Sequence, residues 1–127
     1  MLSRISVLAL AILAAVAAGC STPTAHHIAY DDELAVVRKK ADAGDVIAAY
    51  RAFLICQFYT HQPDLALSYL RAAANGGHVP AMSLLGAMLL ESKEEAERKA
   101  GVEFLTNAAL GGDVDARKFL ELRGVKW

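Results

Sequence analysis

The side chains that could perform chemistry in this chain of 127 residues are two cysteines, four histidines and scattered carboxylates. A nucleophilic cysteine needs a stabilised thiolate, but Cys56 stands in an apolar, aromatic stretch, which predicts an inert buried thiol. The adjacent His26 and His27 have neither the spacing nor the further ligands of a metal site. His61 and His78 fall at predicted helix ends, where structural roles are expected. These residues therefore predict no metal site.

The acidic residues are arranged as helix starters and surface pairs, such as Glu95 with Lys99, and not as a converging catalytic pair. No predicted strand leads into a glycine-rich phosphate loop. The net charge of −1 leaves no basic patch for nucleic acid. We therefore predict a protein that is not an enzyme, uses no cofactor and does not bind nucleic acid. An enzyme acting through Cys56 is an alternative.

The N-terminus carries an apolar run at residues 5–18, ISVLALAILAAVAA, between Arg4 and the pair Gly19-Cys20. A membrane-spanning helix needs roughly 20 apolar residues. This shorter run tapers into small residues, which is typical of a cleaved secretory signal. We assign residues 1–19 to the signal, 20–30 to a tether and 31–127 to the folded domain.

The segment VAAGCS resembles the lipobox of bacterial lipoproteins, in which small residues precede a cysteine. The resemblance implies cleavage after Gly19 and covalent attachment of lipid, including palmitate, to Cys20. Several acyl chains on one residue give stable membrane anchoring. Because Ser21 follows Cys20 where Asp commonly marks inner-membrane retention, a periplasm-facing lipoprotein of the outer membrane is favoured over one of the inner membrane or the cell surface.

The rest of the chain contains an internal repeat. Three segments align, namely KADAGDVIAAY, AAANGGHVPAM and NAALGGDVDAR. Their shared glycines, Gly44, Gly77 and Gly112, are about 33 to 35 residues apart. A period of this length with two helical stretches per copy predicts an α-solenoid.

The second copy, DLALSYLRAAANGGHVPAMSLLGAML, resembles a Sel1-like repeat, which is a relative of the tetratricopeptide repeat. The residues that carry the resemblance are Ala66, Tyr69, Ala73, Ala74, Gly77, His78, Ala81, Leu85 and Gly86. The first copy departs from the pattern, with Phe53 at the position of the Leu-Gly glycine and Cys56 at that of the tyrosine. The resemblance covers residues 33–122.

We predict six helices, at about 31–43, 46–59, 63–75, 79–91, 93–110 and 114–123. The predicted fold class is all-α, a short right-handed α-solenoid of antiparallel helix pairs. Two repeats, at about 45–77 and 78–112, lie between half-repeat caps.

The repeat junctions predict specific roles for small and polar residues. The glycine after a helix adopts the left-handed conformation that closes the last turn. Gly77 is predicted to be the required member of the Gly76-Gly77 pair, because Ala43 replaces Gly76 in the first copy.

Side chains that cap the next helix are predicted at Asp45, Asp113 and His78. Ser92 with Glu95 matches a capping box, which places the start of the fifth helix near residue 93.

The concave face of a solenoid is its usual binding surface. Its predicted groove residues are Ile47, Tyr50, Leu54, Gln57, Phe58, Ser83, Ala87, Leu90, Lys118 and Leu122, with Pro80, Glu91 and Asp115 beside them. The stretch AFLICQFY is apolar almost all round. This pattern indicates either a surface that binds a partner or one that the chain covers with its own Ile28, Tyr30 or Trp127.

Anchor, solenoid and apolar face together predict a membrane-anchored periplasmic scaffold or adaptor that binds a protein segment, in envelope assembly or secretion. The alternative is a module that binds glycan or peptidoglycan and regulates an envelope enzyme, since other Sel1-like proteins act around surface polysaccharide and cell wall.

Labelled palmitate tests the anchor. We expect the wild-type chain to incorporate the label and the Cys20→Ser variant to lose it, because acylation needs the thiol. Incorporation that survives the substitution contradicts the lipobox assignment.

Overall fold

A computed structural model describes residues 25–127 of the chain, with side chains described from residue 29 onward. The predicted signal at 1–19 and the lipidation site at Cys20 lie outside the described residues. Six helices follow one another: α1 (Ala25–Asp42), α2 (Val46–Phe58), α3 (Pro63–Asn75), α4 (Val79–Leu90), α5 (Glu95–Leu110) and α6 (Val114–Leu122). No strand occurs within residues 25–127, so the all-α prediction is confirmed.

Two helix starts differ from the prediction. The first helix begins at Ala25, so part of the segment assigned to a tether is helical. The fifth helix begins at Glu95, because the Ser92 hydroxyl accepts a hydrogen bond from the Glu94 amide at 3.1 Å and donates one to Glu97 at 2.5 Å. Ser92 does not pair with Glu95, so the predicted capping box was wrong.

The helices stack as antiparallel pairs, α2 with α3 and α4 with α5, flanked by α1 and α6. We call α2, α4 and α6 the A helices and α1, α3 and α5 the B helices. Large leucines at the centre of the stack are almost fully buried, namely Leu70, Leu85, Leu105 and Leu120. Burial of one such side chain contributes roughly 1.5–3 kcal/mol. No helix within residues 25–127 is both long enough and apolar enough to cross a membrane.

Polar and aromatic contacts join the described part of the first helix to the repeats. The ring of Tyr30 stacks on Tyr59 with centroids 3.8 Å apart. Glu33 pairs with Arg51 on α2. On α3, the Tyr69 hydroxyl accepts a hydrogen bond from Arg38 at 3.1 Å. The B-type cap is therefore docked against both helices of the first repeat.

The repeat junctions have the backbone geometry that the sequence predicted. Gly44, Gly77 and Gly112 have φ of +96°, +88° and +97°. After Gly77, the His78 amide donates to the Ala73 carbonyl at 3.0 Å, and equivalent bonds follow the other two glycines. This pattern satisfies carbonyls that the helix end leaves without partners.

Two of the three predicted side-chain caps are confirmed. Asp45 accepts from the amides of Ile47 and Ala48 at 3.0 Å, and Asp113 accepts from that of Ala116 at 2.9 Å. His78 makes no capping hydrogen bond.

The first glycine of each pair has a packing role that the sequence did not reveal. A Cβ added to Gly76 would lie 2.0 Å from Cγ1 of Val46, and one added to Gly111 would lie 2.8 Å from Cγ2 of Val79. Gly77 has the left-handed φ that the prediction required of it, and Gly76 has a packing role that the prediction did not include. The absence of a side chain at Gly76 leaves room for Val46, the first residue of the A helix in the same repeat.

Two glycines let α4 and α5 approach each other closely. A Cβ on Gly86 would lie 2.8 Å from Cγ of Leu105 and 2.9 Å from the Gly101 carbonyl. A Cβ on Gly101 would lie 2.8 Å from the Gly86 carbonyl. Because the nearest atoms include backbone, a side chain at either position forces the helices apart.

We expect Gly86→Ala to lower the free energy of unfolding by about 1–3 kcal/mol, which is typical of overpacking. Intrinsic helix propensity alone would raise the free energy of unfolding by roughly 1 kcal/mol, because alanine favours a helix more than glycine does. Urea unfolding followed by circular dichroism measures the sign. Ala96→Gly, at an exposed position of α5, is the control and should show the ordinary propensity cost. A stabilised Gly86→Ala contradicts the close crossing.

Candidate functional site

A largely apolar cavity of about 380 Å³ lies between α2, α3 and α4. Phe58, Leu84 and Met88 stand at its walls and are 61%, 38% and 50% exposed. The residues that line it are Phe53, Gln57, Phe58, Pro63, Asp64, Leu67, Leu70, Leu84 and Met88. Several large apolar side chains exposed around one concavity form a surface suited to binding.

A second cavity, of about 360 Å³, lies across the three A helices. It is lined by Tyr50, Pro80, Ser83, Leu84, Ala87, Leu105, Asp113, Asp115 and Phe119. Leu84 lines both cavities, so they share a wall. We call the two together the A-helix groove.

The structure brings half of the predicted groove residues into this groove. Gln57 and Phe58 line the first cavity, and Tyr50, Ser83 and Ala87 line the second.

The other predicted groove residues lie elsewhere. Ile47 and Leu54 line separate concavities together with residues of α1, because α1 packs along that flank of α2. Leu90 is half-buried and packs against the core. Lys118 and Leu122 are exposed on α6 and are not among the lining residues of either cavity.

On the A helices, the groove prediction missed four lining residues, namely Phe53, Leu84, Met88 and Phe119, and it included none of the lining residues from α3 and α5. Leu84 and Met88 carry a signal that could have found them, since residues four apart share one face of a helix. From the sequence, Phe53 was identified only as a departure from the repeat pattern. Phe53 occupies the repeat position that Gly86 holds in the second copy. It is 6% exposed and lines the first cavity.

Two aromatic side chains of the described part of the chain cover other apolar surface, while the side chain of Ile28 lies outside the described residues. Tyr30 of α1 stacks on Tyr59 beside Leu54. A hydrogen bond with Tyr59 is the main cause that raises the pKa of Tyr30 above its ordinary value. Burial and nearby negative charge raise this pKa further. Trp127 packs against the last A helix, with the Arg117 guanidinium 5.2 Å from its ring centroid. Neither Tyr30 nor Trp127 lines the two cavities.

His78 packs beside the groove, where its ring lies 4.5 Å from that of Tyr50. Tyr50 in turn lies 5.7 Å from Phe53. The imidazole is half-buried, and its Nδ1 has no hydrogen-bond partner among the described residues. The contact fixes the tyrosine ring at the junction of α2 and α4.

The charged residues that line the groove are all aspartates. Asp64 lines the first cavity, and Asp113 and Asp115 line the second. Asp113 is committed to capping α6. Neither Asp64 nor Asp115 has an ion pair or a side-chain hydrogen bond within the described residues.

The groups considered for chemistry are not arranged for it in the described part of the chain. Cys56 is fully buried, and this burial raises the pKa of its thiol, although the charge of Arg38 acts in the opposite direction. His61 lies in the turn between α2 and α3 with φ of +51°. No group of three or more metal-ligating side chains occurs among the described residues.

The family profile described as plant tetratrico peptide repeats matches residues 24–121. This match covers all six helices and the groove between them. The chain belongs to this tetratricopeptide repeat family. Comparison with curated proteins and with solved structures found no significant match.

Tetratricopeptide repeats generally mediate the binding of protein partners, and members of the family are typically adaptors without catalytic activity. The family assignment therefore indicates a scaffold for protein–protein interaction.

Burial predicts low reactivity of Cys56. At mildly alkaline pH we expect a maleimide probe to label the native protein slowly and the urea-unfolded protein rapidly, because the thiolate is the reactive form and the folded state disfavours it. The measurement is the rate of labelling by mass spectrometry, with Cys20→Ser as the background so that only Cys56 reacts. Labelling of the native state as fast as that of the unfolded state favours a reactive cysteine instead.

Proposed function

We propose that this chain is a membrane-anchored periplasmic scaffold whose A-helix groove binds a segment of another protein, in envelope assembly or secretion. The observation that carries the proposal is the first cavity, where Phe58, Leu84 and Met88 stay exposed around an apolar floor. Exposed apolar side chains around one concavity cost free energy unless a partner covers them.

A protein segment suits the groove better than a glycan does. Its first cavity is walled by aliphatic and aromatic side chains, which match the side chains of a peptide. Tyr50, the aromatic residue that a sugar ring could stack on, already packs against His78. A module that binds glycan or peptidoglycan remains the alternative that the experiment below separates.

The Sel1-like assignment is part of this proposal. Ala81, Leu85 and Gly86 match the first helix of that repeat, and two of these positions have packing reasons. Leu85 is 1% exposed. Gly86 lies at the close crossing with Gly101. Gly86, one of the residues that carry the resemblance, therefore lets α4 lie close to α5.

The proposed lipid anchor would hold the repeats near a membrane. Cys20 precedes the start of α1 at Ala25 by five residues, and extended chain spans at most roughly 3.3–3.6 Å per residue. If Cys20 is acylated, the first helix therefore begins within about 18 Å of the attachment point. Such a short span orients the domain more strongly than the longer tether expected from sequence.

No catalytic role is included in the proposal. Burial disfavours the thiolate of Cys56. Of the two aspartates in the second cavity, Asp113 accepts the capping hydrogen bond of α6.

Crosslinking of the native protein in membranes, followed by pull-down, tests the groove. We expect Phe58→Glu and Met88→Glu to lose the crosslinked partner, because a carboxylate in the first cavity must be desolvated for the partner to bind. Ile47→Glu is the matched control, since Ile47 is 70% exposed on α2 but lines a different concavity.

The same variants distinguish the two functions. Retention of the partner by folded Phe58→Glu and Met88→Glu proteins, judged by circular dichroism, contradicts the groove. Binding to purified cell-wall sacculi that these substitutions abolish would favour the glycan module.

A further inference from the structure

We infer that the segment bound in the A-helix groove combines apolar anchor side chains with positive charge. The inference rests on the proposed function and adds the chemistry of the partner. It follows from the shape of the groove, from the charges that line it and from the pairing of nearby basic residues.

The shape calls for two apolar side chains on the partner. Leu84 separates the two cavities and borders both of them. The first cavity is floored by Leu67 and Leu70. The second offers Phe119 and Ala87. Each cavity has room for a large side chain, so neighbouring anchors of one segment can lie on either side of Leu84.

The charge at the groove is negative. Asp64 borders the first cavity and Asp115 the second, and both are exposed in the first turns of their helices. Neither is neutralised by an ion pair within the described residues. A partner that brings basic residues to these two positions would gain opposite charges beside an apolar surface that excludes water.

Basic side chains near the groove are mostly engaged elsewhere. Arg123 pairs with Glu91 and lies 5.1 Å from the ring centroid of Phe119. Arg117 lies over Trp127. Lys118 is exposed on α6 but does not line either cavity. Among the described residues, no lysine or arginine lines either cavity beside Asp64 and Asp115.

The groove is therefore expected to prefer a segment with basic flanks over an otherwise similar segment with acidic flanks. A segment with acidic flanks would bring like charges to the two aspartates, while one with basic flanks would be attracted to them. Because both aspartates are exposed, each contributes modestly and its effect falls with salt. The apolar anchors provide the larger part of the affinity, and the charges select the partner.

Three short fluorescent peptides test the inference by anisotropy. They share the same leucine and phenylalanine anchors and carry flanking residues that are all lysine, all glutamine or all glutamate. The protein is the full chain in nanodiscs of zwitterionic lipid, with empty nanodiscs as background. We expect the lysine peptide to bind about tenfold more tightly than the glutamate peptide at low salt, with the glutamine peptide between them.

The aspartates are tested by Asp64→Asn and Asp115→Asn. Each should weaken binding of the lysine peptide roughly twofold to fivefold and leave that of the glutamine peptide unchanged. The matched control is Asp32→Asn, an exposed aspartate on α1 that lines neither cavity. Thermal unfolding of each variant shows whether the helix starts are intact.

The outcomes separate this inference from the proposed function. Equal affinity for the lysine and glutamine peptides, abolished by Met88→Glu, overturns the charge preference while the groove stands. Tightest binding of the glutamate peptide also overturns it. If no peptide binds, or if Met88→Glu has no effect on peptide binding, the inference is wrong, and crosslinking in membranes judges the proposed function independently.

Discussion

The close approach of paired helices at small residues is the constraint on which this fold depends. Gly86 and Gly101 bring α4 and α5 into contact through backbone atoms, and buried alanines such as Ala73 and Ala108 occur in the B helices of both repeats. Glycine in the middle of a helix weakens that helix by roughly 0.5–1 kcal/mol. The packing that the glycines allow must offset this cost, so helix pairing and helix stability are linked in the second repeat.

The groove arises because the two repeats carry different residues at the position where the paired helices of the second repeat come close. At the position where α4 carries Gly86, α2 carries Phe53, whose ring borders the first cavity. On the facing side of the cavity, Leu84 and Met88 of α4 remain exposed. The departure from the repeat pattern in the first copy thus borders the cavity around which Phe58, Leu84 and Met88 are exposed. A strictly repeated sequence would place glycine there and remove one wall of the cavity.

The first helix limits how much of that apolar surface is available. Tyr30 stacks on Tyr59, and Glu33 pairs with Arg51, so the flank of α2 that carries Leu54 faces the chain's own cap. Gln57 and Phe58, which follow Leu54 by three and four residues on the same helix face, border the groove instead. The two alternatives left open by the sequence, a partner surface and a surface covered by the chain, therefore apply to adjoining parts of one helix face.

The sequence by itself determined the period, the helices and the junctions, because these depend on local geometry. Glycine at a left-handed position and aspartate at a helix start act over a few residues, so Gly77 and Asp45 could be placed without a structure. Tertiary structure decided which side of each A helix stays open. Repeat alignment assigned Ile47 and Leu54 to the groove, yet α1 packs on that side of α2. Tertiary structure also decided the role of Gly76, because the contact between Gly76 and Val46 joins residues about 30 positions apart in the sequence. Contacts of this kind depend on how helices pack together, which the repeat pattern of one helix does not encode.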